Sequence, residues 1–412
     1  FVVVDEAVDR PLPVSDVEVA GRSFDEIVRE LLPISRNVPF DLGEGPLVRL
    51  TLYRLVQSAE PTGDWLLEGA IHHIVSDGWS MNLFVREIVI HYASLATGTQ
   101  IPLPELPVQY VDYAQWQHQR AEGDSLRKEV DFWLKELAGT PDLLQLPTDR
   151  PRVVTGKRQG GRLSRQLDAG LSQRFETLCR EAGLTQFMGY FAVWSLLMAR
   201  HARQDDFCIG VPSANRPFRS LENLIGYFAN FFALRSQMDL NLTARDFLQA
   251  VKQRVMGVSE HQDVPFHLIV EGLKVPRNPN YPPLVQVGFQ FQDFSAVGGG
   301  SDAEKQLIEQ IYQRTQVRFE PVNFESSDVM YDMLAFFAPG QNGLNVSIEF
   351  NRELYGGETV ERLIRHCTRI MEAIVANPAV RLADIDLVTP EELRADLGIG
   401  ADVDRKSTRL NS

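Results

Sequence analysis

The run Ile71-His72-His73-Ile74-Val75-Ser76-Asp77-Gly78-Trp79-Ser80 brings more chemically capable groups together than any other stretch of the chain. Only 8 of the 412 residues are histidine, so a chance His-His-x-x-x-Asp-Gly match is expected on the order of once in a thousand such chains. Adjacent histidines on a strand point to opposite faces, so His72 and His73 cannot share one role: one faces a cleft and the other packs. Four residues past His73, Asp77 can turn back beneath the loop and accept a hydrogen bond from backbone or from an arginine. Gly78 is expected to take a backbone conformation closed to other residues and to leave its N–H open at the mouth of a helix. The loop then offers a neutral base together with a donor for developing negative charge.

Blander readings of the same residues compete. A histidine pair at a strand end is commonly structural. Metal binding would need a third ligand, and His118, His261 and His267 show no ligand spacing, so no metal is expected. Ser76 and Ser80 flank Asp77, but neither lies in a Gly-x-Ser-x-Gly elbow, which argues against a covalent intermediate. Trp79 and the helix aromatics Tyr113, Trp116 and Phe132 read as core packing.

The elements that must position this loop follow from periodicity. Strand patterns occupy 1–4, 47–55 and 65–75, and a helical pattern at 81–96 ends at Gly98, giving strand, loop and helix around the histidines. A longer helical region spans 111–137 with a break near Gly123. Residues 140–161 hold Pro141, Pro147, Pro151 and three glycines, and read as a linker with a subdomain boundary near 150. Beyond it, helices are predicted at 171–182, 185–202, 244–261 and 358–376, and strands at 206–212, 231–238, 284–292, 329–337 and 344–351. The expected class is mixed α/β, with a sheet-and-helix layer in each of the regions 1–150 and 151–390 and a linker or disordered tail at 391–412. The start reads as a chain cut inside a strand.

Composition narrows the function classes. Hydrophobic residues at 44% and charged residues at 23% are ordinary globular values, so collagen, coiled coil and disorder fit poorly. A net charge of −14 without a segregated basic patch disfavours nucleic acid and anionic membrane surfaces. The longest apolar stretch, 187–199, falls short of the ~20 residues that span a bilayer. Cys179, Cys208 and Cys367 lie far apart, which suggests neither disulfides nor zinc but a reduced, cytoplasmic setting.

Several ordered motifs together resemble the condensation domain of nonribosomal peptide synthetases, within the acyltransferase superfamily that includes chloramphenicol acetyltransferase. Besides His72-His73-x-x-x-Asp77-Gly78, they are Tyr110-Val-Asp-Tyr-Ala-Gln-Trp116, Ile225-Gly-Tyr-Phe-Ala-Asn230 with Leu234-Arg235, His261-Gln-Asp-Val-Pro-Phe266 and, more loosely, Arg277-Asn-Pro-Asn-Tyr-Pro-Pro-Leu284. The resemblance covers about residues 1–395; the family's opening Ser-x-Ala-Gln-x-Arg and Arg-His-Glu-x-Leu-Arg-Thr-x-Phe segments are missing apart from the final Phe1, which reads as N-terminal truncation. Residues 382–392 resemble an exit toward an adenylation domain.

The resemblance implies two chloramphenicol-acetyltransferase-like subdomains in a V-shaped pseudo-dimer, with the histidine loop at their junction in a tunnel. It also implies peptide-bond formation between a donor thioester and an acceptor amine. Both would be carried on the phosphopantetheine arms of upstream and downstream carrier domains, beside an adenylation domain and with no directly bound cofactor. His73 and the Gly78 N–H would act on substrate, with His72, Asp77 and Arg216 supporting them; Arg216, in Ala214-Asn-Arg-Pro217, would reach Asp77 across the junction or else remain a solvated loop cation. Epimerisation domains and wax-ester-type acyltransferases share the His-His-x-x-x-Asp-Gly core, and a silent platform that only docks carriers is a further alternative. The intact His72-His73 pair speaks against the heterocyclising branch, which carries an Asp-based pattern there.

Overall fold

Ten helices and nine strands are present among the residues that the computed structural model describes: 11–36, 38–121, 123–152, 159–276, 278–292, 302–320, 322, 329–340, 343–389 and 392. In chain order they are β1 (Val14–Glu18), α1 (Phe24–Arg36), β2 (Val48–Gln57), β3 (Glu60–Ile71), α2 (Gly78–Thr97), α3 (Tyr110–Ala121), α4 (Asp124–Glu136), β4 (Gly160–Gln166), α5 (Ala169–Glu181), α6 (Gln186–Ala202), β5 (Asp206–Ser213), β6 (Asn230–Gln237), α7 (Ala244–Ser259), α8 (Phe266–Leu273), β7 (Val287–Phe291), α9 (Asp302–Thr315), β8 (Met333–Gly340), β9 (Gly343–Asn351) and α10 (Gly357–Ala376). The expected strand at 1–4, Arg277 of the loosest motif and, apart from Glu392, the expected tail at 391–412 lie outside the described residues. The chain forms two compact units, one made of 1–113, 216–228 and 305–324 and the other of the remaining residues.

In the first unit, β1 runs parallel to β2 and β2 antiparallel to β3. The β2–β3 hairpin turns through Ser58 and Ala59, both at positive φ (53° and 67°), in place of the Asn-Gly pair that usually marks such a turn. Helix α1 buries Ile27, Val28 and Leu31 against Leu55 and Leu66. Its start is a capping box: Glu26 accepts from the Ser23 amide at 2.7 Å while the Ser23 hydroxyl accepts from the Glu26 amide at 3.3 Å. Helix α2 starts at an Asp77 cap and ends where Gly98 turns left-handed at φ 65°, the stop expected from the sequence.

The second unit carries a six-stranded mixed sheet in the order β4-β9-β8-β7-β5-β6. Helix α6 is buried on every side, from Met188 to Ala199, against a core that includes Phe175, Phe207, Phe289 and Phe337. Its apolar sequence is therefore that of a core helix, and no single helix among the described residues is long and apolar enough to cross a membrane.

Two expectations need correction. Residues 140–161 are not linker throughout, because β4 begins at Gly160 and pairs with β9; its sequence Gly-Gly-Arg-Leu-Ser-Arg-Gln is that of a polar edge strand and lacks an apolar alternation. The division of the chain also differs from a single boundary near 150. Helix α4 belongs to the second unit, where Trp133 and Leu137 are fully buried and Arg235, paired with Asp206 at 2.7 Å, donates to the carbonyls of Glu136 and Ala138.

The motif 261–266, for which the sequence offers no chemistry, is a structural hub of this unit. The His261 carbonyl accepts from Trp133 Nε1 at 2.7 Å, its ring stacks on Phe132, and Asn230 Nδ2 donates to the carbonyls of Gln262 and Val264. Asp263 pairs with Arg120 at 2.9 Å.

Candidate active site

Strand β3 ends at Ile71, and the two histidines lie beyond it rather than on it. His72 caps a short 3-10 turn, His73–Val75: its Nδ1 accepts the Ile74 N–H at 3.0 Å, which leaves any proton of the neutral ring on Nε2. Its ring meets Phe40 edge-on at 5.7 Å, and Arg49 lies over the same Phe40 ring at 3.8 Å. His73, the first residue of the turn, is exposed. Among the described residues neither of its ring nitrogens has a hydrogen-bond partner, and its ring meets Tyr227 at 5.2 Å with the planes at 87°. The two histidines therefore differ in surroundings, His72 against Phe40 and His73 exposed, and the cause is a tight turn with a side-chain cap, not the strand alternation expected.

Asp77 is buried and does three things at once. Its Oδ1 accepts the Ser80 N–H at 2.8 Å, capping α2, and its charge sits favourably at the helix N-terminus. Its Oδ2 accepts the Phe228 N–H at 3.0 Å. Arg216 Nη2 lies 3.4 Å from Oδ1, with both side chains 2% exposed. Arg216 is thus a buried partner of Asp77 and not a solvated cation. It belongs to the same compact unit as the histidine loop, so the expectation of a bond across a junction is corrected. Burial draws its basicity down, and the Asp77 charge works against that. The guanidinium also donates to the carbonyls of Leu221 and Leu224 and to the Ser80 hydroxyl, and it lies 4.0 Å over the Phe228 ring.

Gly78 also corrects the sequence reading. It is the first residue of α2, is absent from the positive-φ glycines, and a Cβ there would meet nothing within 4 Å. Conformational freedom is not what a glycine supplies here. It supplies open space over an N–H that, among the described residues, carries no hydrogen bond at the positive end of a helix.

Segment 216–228, which the sequence marks only at Arg216 and in the Ile225-Gly-Tyr-Phe run, completes the loop. Trp79 Nε1 donates to the Glu222 carbonyl at 2.8 Å, so Trp79 anchors this segment rather than serving as anonymous packing. The Ser80 hydroxyl donates to the Gly226 carbonyl at 2.8 Å and accepts from Gly226 N–H and Arg216, which leaves it no role as a nucleophile. The Tyr110 hydroxyl donates to the Tyr227 carbonyl at 2.8 Å, and burial together with the Asp77 charge raises its pKa. Ser80, Tyr110 and Tyr227 are missed by the sequence reading; Tyr110 and Tyr227 sit inside motifs, but only tertiary contact gives them meaning. His118, His261 and His267 are not drawn together, and among the described residues no group of three or more His, Cys, Asp or Glu side chains has a metal-holding arrangement.

Comparison with known proteins agrees with this architecture. Solved structures with the same fold include the X-domain from teicoplanin biosynthesis (TM-score 0.77, 24% identity, covering 93% of this chain and 82% of that one) and a four-domain nonribosomal peptide synthetase bound to AMP and glycine (TM-score 0.75, 20% identity, covering 93% and 28%). In sequence, residues 2–396 match the family described as Condensation domain, and the chain belongs to that family. It is 34% identical over 356 residues to a linear gramicidin synthase of Brevibacillus parabrevis, covering 86% of this chain and 7% of that protein. It is 33% identical over 387 residues to chondramide synthase cmdD of Chondromyces crocatus, covering 92% of this chain and 9% of that protein. The chain thus spans under a tenth of the length of these two relatives.

Proposed function

We propose that the chain forms a peptide bond between two substrates held as thioesters on separate carrier domains. The observation that carries this is that the buried Asp77, Ser80 and Arg216 lock a loop on which two groups stay exposed and unbonded among the described residues: the His73 imidazole and the Gly78 N–H. One is a base and the other a donor, which is what the reaction asks for. The acceptor amine attacks the donor thioester carbonyl; a C–N bond forms and the C–S bond breaks. The amine loses a proton, and the departing thiolate of the donor's phosphopantetheine arm gains one. His73 accepts that proton or holds the amine by a hydrogen bond, and the Gly78 N–H meets the negative charge that builds on the carbonyl oxygen. His72, Asp77 and Arg216 keep the loop in shape and touch no reacting atom.

In this reading the partners are an upstream donor carrier, a downstream acceptor carrier and an adjacent adenylation domain, in the cytoplasm. Phosphopantetheine arrives attached to the carriers, as part of the substrates. The size of the relatives supports it: both are synthases many times longer than this chain.

The test mixes the 412-residue chain with a phenylalanyl-loaded donor carrier and a leucyl- or glycyl-loaded acceptor carrier, and follows the acceptor by intact-protein mass spectrometry. The dipeptidyl mass is expected with the parent chain and not with His73→Ala. No product from a folded parent over several aminoacyl pairs would overturn the reading in favour of a docking platform, and product at equal rates from both would remove His73 from the mechanism.

A further inference from the structure

A working imidazole is usually oriented by a carboxylate or carbonyl on its second nitrogen. His73 has no such partner among the described residues. Its side chain is exposed, so both torsions are free to turn unless something packs on the ring. The ring that does so is Tyr227, 5.2 Å away and nearly perpendicular.

Tyr227 is held for this on every side of its backbone. The Gly226 N–H donates to Ser80 Oγ at 3.1 Å and the Gly226 carbonyl accepts from the same hydroxyl at 2.8 Å. The Tyr227 carbonyl accepts from the Tyr110 hydroxyl at 2.8 Å, and the Phe228 N–H donates to Asp77 at 3.0 Å. Glycine is required at 226 because a Cβ there would lie 2.2 Å from the Tyr110 ring. Tyr227 is 45% exposed, and its hydroxyl has no hydrogen-bond partner among the described residues. Core packing therefore does not account for an aromatic ring at this position. Its backbone is fixed by the same Asp77 and Ser80 that shape the histidine loop, so ring and imidazole are set against each other by one network.

We propose that Tyr227 is a positioning residue for His73: its ring holds the imidazole at right angles and selects the rotamer that faces the acceptor amine. The amine rests on the condensation reading above, whereas the ring contact rests on geometry alone. The aromatic ring carries the effect, so Tyr227→Phe preserves it and Tyr227→Ala abolishes it.

Two readouts on the 412-residue chain decide the matter. With the leucyl acceptor carrier, Tyr227→Ala is expected to lower kcat about tenfold and leave KM within about twofold, with Tyr227→Phe close to the parent. Independently of turnover, the chain labelled at histidine Cε1 gives one NMR signal for each of its 8 histidines, and His73→Ala identifies the signal of interest. That signal should move in Tyr227→Ala and stay in place in Tyr227→Phe, because the ring current of the tyrosine is lost only in the first. An unmoved His73 signal in Tyr227→Ala, or parental kcat in that variant, overturns the proposal. A parent chain that makes no dipeptidyl product defeats the condensation reading alone, and the NMR comparison then still decides whether Tyr227 sets the ring.

Discussion

Histidines come together twice in this chain, once after β3 and once within the second unit. After β3, His73 is exposed, has unoccupied ring nitrogens among the described residues and meets the Tyr227 ring. In the second unit, His201 Nε2 lies 3.0 Å from His366 Nδ1, and His366 Nε2 lies 3.2 Å from Glu392 Oε2, so hydrogen bonds run through three side chains. One set of tautomers satisfies this with both rings neutral: His366 donates from Nε2 to the carboxylate and accepts at Nδ1 from His201. Burial, then the neighbouring His366 and arginines, push the His201 pKa down to about 4, and burial lowers His366 as well. Glu392 is held down to about 2 because hydrogen bonds from Thr389, Arg365 and His366 outweigh its partial burial. These two histidines are committed to structure. What distinguishes the candidate catalytic ring is that it is exposed and that, among the described residues, its nitrogens carry no hydrogen bond.

The contrast can be broken or sharpened by substitution. His73→Ala should cost the largest amount, about 10²–10⁴-fold in product formation, without moving the melting temperature, since an exposed ring leaves no cavity. A melting temperature that falls along with activity would make His73 structural, like the other pair. Arg216→Met leaves the Asp77 charge buried without its partner and should lower stability by about 3–5 kcal/mol in urea titration. Adding Asp77→Asn to that variant should recover part of the loss.

For His201, the folded-state pKa lies below its ordinary 6.5, so the unfolded chain binds the extra proton. Its contribution, on the order of 3 kcal/mol, is complete above pH 6.5 and lost as pH falls toward 4. A series of melts over that window should flatten in His201→Phe relative to the parent; an unchanged slope in that variant would remove His201 from the pH dependence. The smallest effect is expected for Gly78→Ala, with activity down about tenfold from a methyl over the N–H and the melting temperature unchanged, because the space is open.

The chemistry is more legible in the sequence than its scaffold. The spacing of His73, Asp77 and Gly78 is local, and an N-cap with an open N–H follows from it directly. The turn at His72 and the ordinary backbone of Gly78 do not, because a strand followed by a 3-10 turn and a strand that simply continues share the same apolar run. Helix α1 is legible too, although it is absent from the expected elements: Ser23 and Glu26 spell a capping box, and Phe24, Ile27, Val28 and Leu31 repeat at helical spacing. Strand β1 is five residues long and largely exposed, and β4 is polar, so neither carries a periodic signal. Tyr227, Ser80 and Tyr110 are out of reach for another reason. Their roles exist only once residues more than a hundred positions apart meet, and the motif spelling that contains Tyr227 names its neighbours without their partners.

That separation has a consequence in time. Asp77 reaches Arg216 across 139 positions and Phe228 across 151, so the histidine loop leaves a ribosome long before the segment that finishes it. At ordinary elongation rates the delay is roughly 8–30 s. Throughout that interval the carboxylate of Asp77 and the hydroxyl of Ser80 must find water where they will later find Arg216, Gly226 and Phe228. A nascent chain halted anywhere between residues 78 and 228 would carry every residue of the His-His-x-x-x-Asp-Gly signature without the complete clamp that gives it shape.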